Sequence, residues 1–342
     1  MTKLEEYLSH FNEDAWLEAL KGLLPEIHEV DRDAVQAWFR FYPLELRRYV
    51  ETAEDRDATL HGLAMQGNFD LAGQIDSSHH FLYGHRFWPT VKSLLESQAA
   101  ESDESSENLV DVIRLVAVGS AEKLGVDRSE TYAIAAVALM TLNQVRIESF
   151  KAASGVVEKP LGIMKKSPEA IIAARNEDDS QGIFGFLKTV NKKFSIHYSS
   201  QRTSGRFEIV NEQEIASASG ADRSRDWRQE DERCWEGVVP VECLSASCGT
   251  CWIGVTGGRE KLSPVEPRER RAMSIFGYNQ PGEERPFLRL ACQAKAYGNA
   301  SIVIPPWNAV FGKKVRGNVE DLELEPVTTS AKTLRTAVAG DK

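Results

Sequence analysis

Long apolar runs are missing from this sequence. The longest, Tyr132 to Leu142, is interrupted by Thr141 and falls far short of the ~20 residues needed to cross a bilayer, which argues against an integral membrane protein. Equally missing are G-x-G-x-x-G, the P-loop, G-x-S-x-G and H-E-x-x-H, so the common dinucleotide, nucleoside triphosphate, serine hydrolase and zinc protease chemistries lack their signatures. Basic residues are the minority, 41 Lys and Arg against 51 Asp and Glu with a net charge of -10, which removes the broad attraction to phosphates on which nucleic-acid binding depends. The first residues, MTKLEEYLSHFNEDAW, do not follow the charged, then apolar, then small pattern of a secretory signal, and a cytoplasmic address is the expectation. Cysteine is scarce and unevenly placed: four of the five lie between Cys234 and Cys251, and the fifth is Cys292. That distribution does not suit a secreted disulfide framework and points to metal.

What is present divides the 342 residues into two parts, in keeping with roughly 100–200 residues per domain. Residues 1–187 read as an all-helical domain. Leu4, Leu8, Phe11, Trp16, Leu17 and Leu20 recur at amphipathic spacing, and Asp33 to Val50 continues it with a break at Pro43. Ala99 to Asn108 is acidic and serine-rich and reads as a loop. Asp127 and Glu130 stand at capping-box positions before TYAIAAVALMTLNQV, which is apolar on nearly every side and is expected to be the central helix. From residue 188 to 311 the texture is mixed α and β: Phe194–Tyr198 and Arg206–Val210 form a predicted hairpin, Trp252–Thr256 and Ser301–Pro305 are further strands, and charged Asp222–Glu236 suits a surface helix. Residues 312–342 are expected to be a flexible tail, in which Glu320–Glu325 would be either a solvated segment or a patch that steers a basic redox partner.

Cys243, Cys248 and Cys251 are separated by four and then two residues, and forty more precede Cys292. This is the plant-type spacing for a [2Fe-2S] cluster. Two sulfide-bridged irons need four thiolates, three of which a tight loop can supply while a distant strand end brings the fourth. Ser245, Ala246, Ser247, Gly249 and Thr250 are small enough for the loop to lie close to the cluster and aim N–H groups at sulfur. Zinc and unrelated thiols are the competing readings; zinc usually takes two C-x2-C knuckles, and only one is present.

Three stretches in order, VPVECLSASCGTCWIGVTGG, KLSPVEPRE and FLRLACQAKAYGNASIVIPP, resemble the [2Fe-2S] ferredoxins of the β-grasp fold over about the last third of the chain. The resemblance implies an α+β β-grasp ferredoxin-like domain after the all-α one, a cluster near the surface held by Cys243, Cys248, Cys251 and Cys292, and single-electron transfer with redox partner proteins, a reductase or an acceptor enzyme. The class potential is about −400 mV. The sequence departs from the family at Leu244, where arginine is frequent, and at Ala246, where glycine is common; if the glycine position needs a positive φ, alanine there is strained by about 1–2 kcal/mol.

Two features lie outside the resemblance. Cys234 is an alternative ligand, a redox-sensitive thiol, or a half-buried cysteine beside Trp235 that behaves as a small hydrophobe. The stretch Asp76–Pro89, DSSHHFLYGHRFWP, gathers His79, His80 and His85 with aromatic residues and is either a metal or haem site or an aromatic packing corner. The function expected is that of a single-electron carrier, with the helical domain serving partner docking or assembly in a redox complex, rather than an enzyme in its own right. Alternatives are a redox sensor whose cluster state controls binding by the helical domain, and an enzyme subunit with a second cofactor near the histidines.

Overall fold

The computed structural model describes residues 2–101, 108–160, 162–175, 192–278 and 282–316. They form two units, one of residues 1–49 and 69–172 and one of residues 50–68 and 173–342.

The first unit is helical. Its helices are α1 (Lys3–Ser9), α2 (Glu13–Leu23), α3 (Glu29–Phe41), the start of α4 (Leu44–Glu51), α6 (Trp88–Glu101), α7 (Leu109–Leu124), α8 (Ser129–Ala152) and the start of α9 (Pro168–Arg175). Capping chemistry sets several ends. Thr2 and Glu5 form a reciprocal capping box on α1, and Asn12 and Asn108 accept the first free N–H groups of α2 and α7. Gly125, at φ 66°, closes α7 in the left-handed conformation that glycine tolerates best. Pro43 separates α3 from α4, as the sequence predicts. The apolar α8 is the centre of this unit: every residue from Thr131 to Val145 is buried, and the helix packs on α1, α3, α6 and α7. Its capping differs in detail from the predicted box, because Asp127 Oδ1 accepts from Ser129 N at 2.8 Å while the N-cap position belongs to Arg128.

The second unit contains α5 (Arg56–Gly62), β1 (Gln66–Gly67), β2 (Lys193–Ser199), β3 (Ser204–Val210), α10 (Ile215–Gly220), β4 (Trp252–Gly257), α11 (Pro267–Phe276), β5 (Leu288–Leu290), β6 (Ala300–Val303), β7 (Trp307–Asn308) and α12 (Gly312–Val315). Five strands make a mixed sheet in the order β3-β2-β6-β4-β5. The β2–β3 hairpin pairs Phe194 with Ile209 and Ile196 with Phe207, β2 runs parallel to β6, and β4 is antiparallel to both β6 and β5. Helix α11 is the connection between β4 and β5, starting with Pro267 and ending at Gly277 with φ 89°.

Three expectations from sequence are corrected. Residues 50–68, assigned to the helical domain of 1–187, belong to the second unit, where Gln66 and Gly67 pair with Asn308 and Trp307. Asp222–Glu236 is not a helix but a chain of turns with one 3-10 turn at Trp227–Gln229; Trp227 is buried with its Nε1 donating to Asp222 O, and Arg233 turns back onto Asp231. The flexible tail assigned to 312–342 does not start at 312, because Gly312–Val315 is helical; residues 317–342, including Glu320–Glu325, lie outside the described residues, as does the predicted boundary at 187. Among the described residues, no helix is long and apolar enough to cross a membrane.

Candidate functional site

The cysteine loop immediately precedes β4, and Cys292 lies two residues beyond β5. Since β4 and β5 are antiparallel neighbours, with Trp252 opposite Leu290, the start of one and the end of the other share one edge of the sheet. The Ala291 N–H donates to Cys251 O at 2.9 Å and fixes that meeting point. Forty intervening residues are thereby bridged by strand pairing.

Within the loop, Leu244 and Ala246 both have φ 58° and Gly249 has φ 73°. These left-handed turns curl the chain so that N–H groups face sulfur. Ser245 N and Ser247 N lie 3.4 and 3.3 Å from Cys243 Sγ. Thr250 directs its backbone N–H and its hydroxyl at Cys248, the hydroxyl at 3.2 Å, while the Ala246 N–H serves Cys292. All five small residues singled out from sequence, Ser245, Ala246, Ser247, Gly249 and Thr250, therefore belong to the same tight loop, although Gly249 contributes its conformation and its carbonyl rather than a bond to sulfur. The positive φ expected at Ala246 is present.

Among the described residues, no three or more His, Cys, Asp or Glu side chains gather round one point where a single ion would sit. The four thiols form two pairs instead. Cys248 Sγ is 3.1 Å from Cys243 Sγ, and Cys251 bonds to Cys292. Within each pair the two thiols are shifted in opposite directions. The bond from Cys248, with the N–H groups of Ser245 and Ser247, lowers the Cys243 pKa, while donating to Cys243 and burial raise that of Cys248. Cys292 is lowered by the bond from Cys251, and Cys251 is raised by making that bond and by burial.

Sequence reading missed what braces the loop. Tyr278, fully enclosed, donates its hydroxyl to Gly249 O at 2.8 Å and stacks on Trp252 with ring centroids 3.9 Å apart. A Cβ on Gly249 would stand 2.9 Å from the Phe276 ring, so the loop has no room there for a side chain. On the other side, Glu269 of α11 pairs with Arg289 of β5 at 2.8 Å, both side chains being 1% exposed, and also accepts from Leu290 N at 2.8 Å. The Glu-to-Arg separation of twenty residues carries no local signal. A cavity of about 450 Å³, lined in part by Trp235, Val241, Glu242 and Thr250, opens beside the loop.

Cys234 stands apart from the four. It is buried, its Sγ lies 3.2 Å from Val238 O, and burial with the neighbouring Asp231 pushes its thiol up to about 12, which leaves it unreactive.

In the first unit, Asp76–Pro89 is a packing node. Buried Asp31 of α3 accepts from Tyr83 N and Gly84 N at 2.6 and 2.8 Å, and Trp88 donates to Asp76 at 2.8 Å. His79 and His85 come together with Nδ1 atoms 2.8 Å apart, and His79 Nε2 lies 3.2 Å from Ile75 O. A carbonyl can only accept, so His79 carries its proton on Nε2 and His85 donates from Nδ1. His80 is not part of this pair; it is half-buried and bonds to Ser77 O. Burial first, and the other histidine second, hold His79 well below its ordinary range, and burial with His80 and Arg86 lowers His85 to about 4.

No family model matches this chain, and neither a curated protein nor a solved structure matches it.

Proposed function

We propose that this protein is a single-electron carrier whose Cys243, Cys248, Cys251 and Cys292 hold one [2Fe-2S] cluster. The observation that carries the reading is the division of the four thiols into two pairs, Cys243 with Cys248 and Cys251 with Cys292, at one edge of the sheet. A binuclear cluster takes two protein thiolates on each iron, whereas a zinc ion needs four donors converging on one point. Plant-type cysteine spacing and the N–H groups of Ser245, Ala246, Ser247 and Thr250 directed at sulfur support it further.

A β-grasp ferredoxin domain is part of the same proposal. Its supports are the parallel pair β2 with β6 at the middle of the sheet, the β2–β3 hairpin on one side of it, the antiparallel β4 and β5 on the other, and α11 as the connection between the two strands that bring the cysteines together. When bound, the cluster would supply a one-electron couple near the class value of about −400 mV. The N–H groups of the loop would stabilise the thiolate charge and so tune that value. Redox partner proteins, a donor reductase or an acceptor enzyme, complete the reading.

The test is iron and acid-labile sulfide analysis of anaerobically purified protein, with visible and EPR spectra before and after dithionite. About two irons and two sulfides per chain, with a rhombic signal on reduction, are expected. Zinc without sulfide would overturn the proposal.

A further inference from the structure

After β5 the chain enters a turn whose backbone is tied down both before and after Cys292. Gln293 N and Ala294 N both donate to Leu290 O, at 2.9 and 3.0 Å, while Leu290 N donates to Glu269 at 2.8 Å. Helix α10 holds the same turn: Ala216 N donates to Ala291 O at 2.9 Å and Ile215 N to Ala294 O at 3.0 Å. The side chain of Gln293 therefore starts from a fixed backbone.

That side chain, half-buried, folds back onto the fourth cysteine. Its Nε2 lies 2.9 Å from Cys292 O and 3.4 Å from Cys292 Sγ. A carbonyl oxygen can only accept, so the end of the amide that faces it is the NH2 group, whose second hydrogen is left for the sulfur. The N–H of Ala246 also serves Cys292, and so does the Cys251 thiol. A cysteine that ligates metal has lost its proton, so in the loaded site the donors to Cys292 among the described residues are the Gln293 amide and the Ala246 N–H.

We propose that Gln293 sets the reduction potential of the site, its amide favouring the reduced state by donating to Cys292 Sγ, an inference that rests on the electron-carrier reading and names a residue that tunes it. Uptake of one electron from a reductant adds one negative charge, part of which the ligand sulfurs carry, and a donor held against sulfur stabilises the more negative state. The loop N–H groups belong to the backbone and no substitution deletes them singly. The Gln293 amide can be removed without altering the chain that bears the ligands.

The test compares the full-length, anaerobically purified protein with its Q293L and Q293M variants, neither of which can donate from this side chain. Iron and acid-labile sulfide are measured first, and the midpoint is then read by EPR during a reductive titration with dithionite. At a fixed solution potential the ratio of reduced to oxidised protein should be at least about threefold lower in both variants; at about 59 mV per tenfold for one electron, that is a midpoint lowered by about 28 mV or more. A merely structural role would reduce cluster content or stability and leave the midpoint in place. Variants that hold about two irons and two sulfides per chain with a smaller shift, or an upward one, overturn the proposal.

A second measurement uses the wild-type chain alone and so decides the bond even where neither variant keeps its cluster. With 15N in the glutamine side-chain amides, pulsed EPR of the reduced protein should show a 15N coupling, because among the described residues Gln293 is the glutamine whose amide meets one of the four sulfurs. Absence of that coupling overturns the proposal. The two readings fail in different ways: a wild-type chain without iron and sulfide overturns the electron carrier and this inference with it, whereas a wild-type chain that holds both but shows no coupling, or no shift in the variants, overturns the role of Gln293 alone.

Discussion

Gly249 and Ala246 occupy the same left-handed region of backbone space but face different surroundings. At Gly249, φ is 73° and the Phe276 ring would lie 2.9 Å from an added Cβ. Gly249→Ala therefore meets both backbone strain of about 1–2 kcal/mol and overpacking of about 1–3 kcal/mol. Urea unfolding should show a loss of roughly 2–4 kcal/mol, with iron retention falling in parallel. Ala246 already bears the strain at φ 58°, so Ala246→Gly relieves it while giving up a buried methyl of about 0.8 kcal/mol and adding unfolded-chain entropy of similar size. A net change within about 1 kcal/mol is expected. A destabilisation of Ala246→Gly as large as that of Gly249→Ala would mean that φ is not what distinguishes the two positions. The cysteine spacing singled out the four thiols that the structure brings to one edge of the sheet, and the resemblance pointed to a positive φ at Ala246. Which cysteine pairs with which was not legible, because it depends on the antiparallel register of β4 and β5.

At the scale of elements, the contact that holds the Cys292 end of the site is the buried pair of Glu269 on α11 and Arg289 on β5. Removing one partner leaves an uncompensated buried charge, so Arg289→Met should cost about 3–5 kcal/mol and lower iron content per chain. The double variant Glu269→Leu with Arg289→Met removes the orphaned charge and should recover most of the stability. Failure to recover would show that the pair acts through its bonds to Ser263 O and Leu290 N rather than through charge. Helix α8 offers a second case. Arg146, exposed, sits at φ 68° and ψ 158° inside the helix, a region held almost solely by glycine, and Glu5 caps the restart through Ile147 N at 2.8 Å. Strain there is about 1–3 kcal/mol; Arg146→Gly should raise stability by about 1 kcal/mol after the entropic cost of glycine, read as an increase in the denaturation midpoint. The sequence announced α8, the Pro43 break and the β2–β3 hairpin because their signals are local: apolar period, capping residues, alternation around a turn. It did not announce the place of residues 50–68, whose pairing of Gln66 with Asn308 spans most of the chain. It also misread Asp222–Glu236, where a helix-like charge pattern is overridden by Trp227 burying itself and Arg233 folding onto Asp231.

At the scale of the whole molecule, the acid response of the first unit has an identifiable source. The thiol pairs lie in the second unit, while the first encloses His79 and His85, which bond to one another through Nδ1 and are both held neutral chiefly by burial. The unfolded chain binds protons at these histidines near pH 6.5, whereas the folded chain does not take one at His85 until about pH 4. Between those values the unfolded state carries more protons, so stability is fully present above pH 6.5 and declines as pH falls through that window. From pH 7 to pH 5 the loss at His85 is on the order of 2 kcal/mol, and His79 adds to it in the same direction. Replacing His85 by Asn keeps a donor near the Nδ1 position and removes one titrating group. Urea unfolding followed by near-ultraviolet circular dichroism, in which buried Trp38 and Trp88 report on the first unit, should show the pH 7 to pH 5 loss reduced by about that amount in His85→Asn. Because α3, α8 and the Asp76–Pro89 node are the elements that bury this pair, an unchanged acid sensitivity would mean that carboxylates, not the histidines, govern how this unit yields to acid.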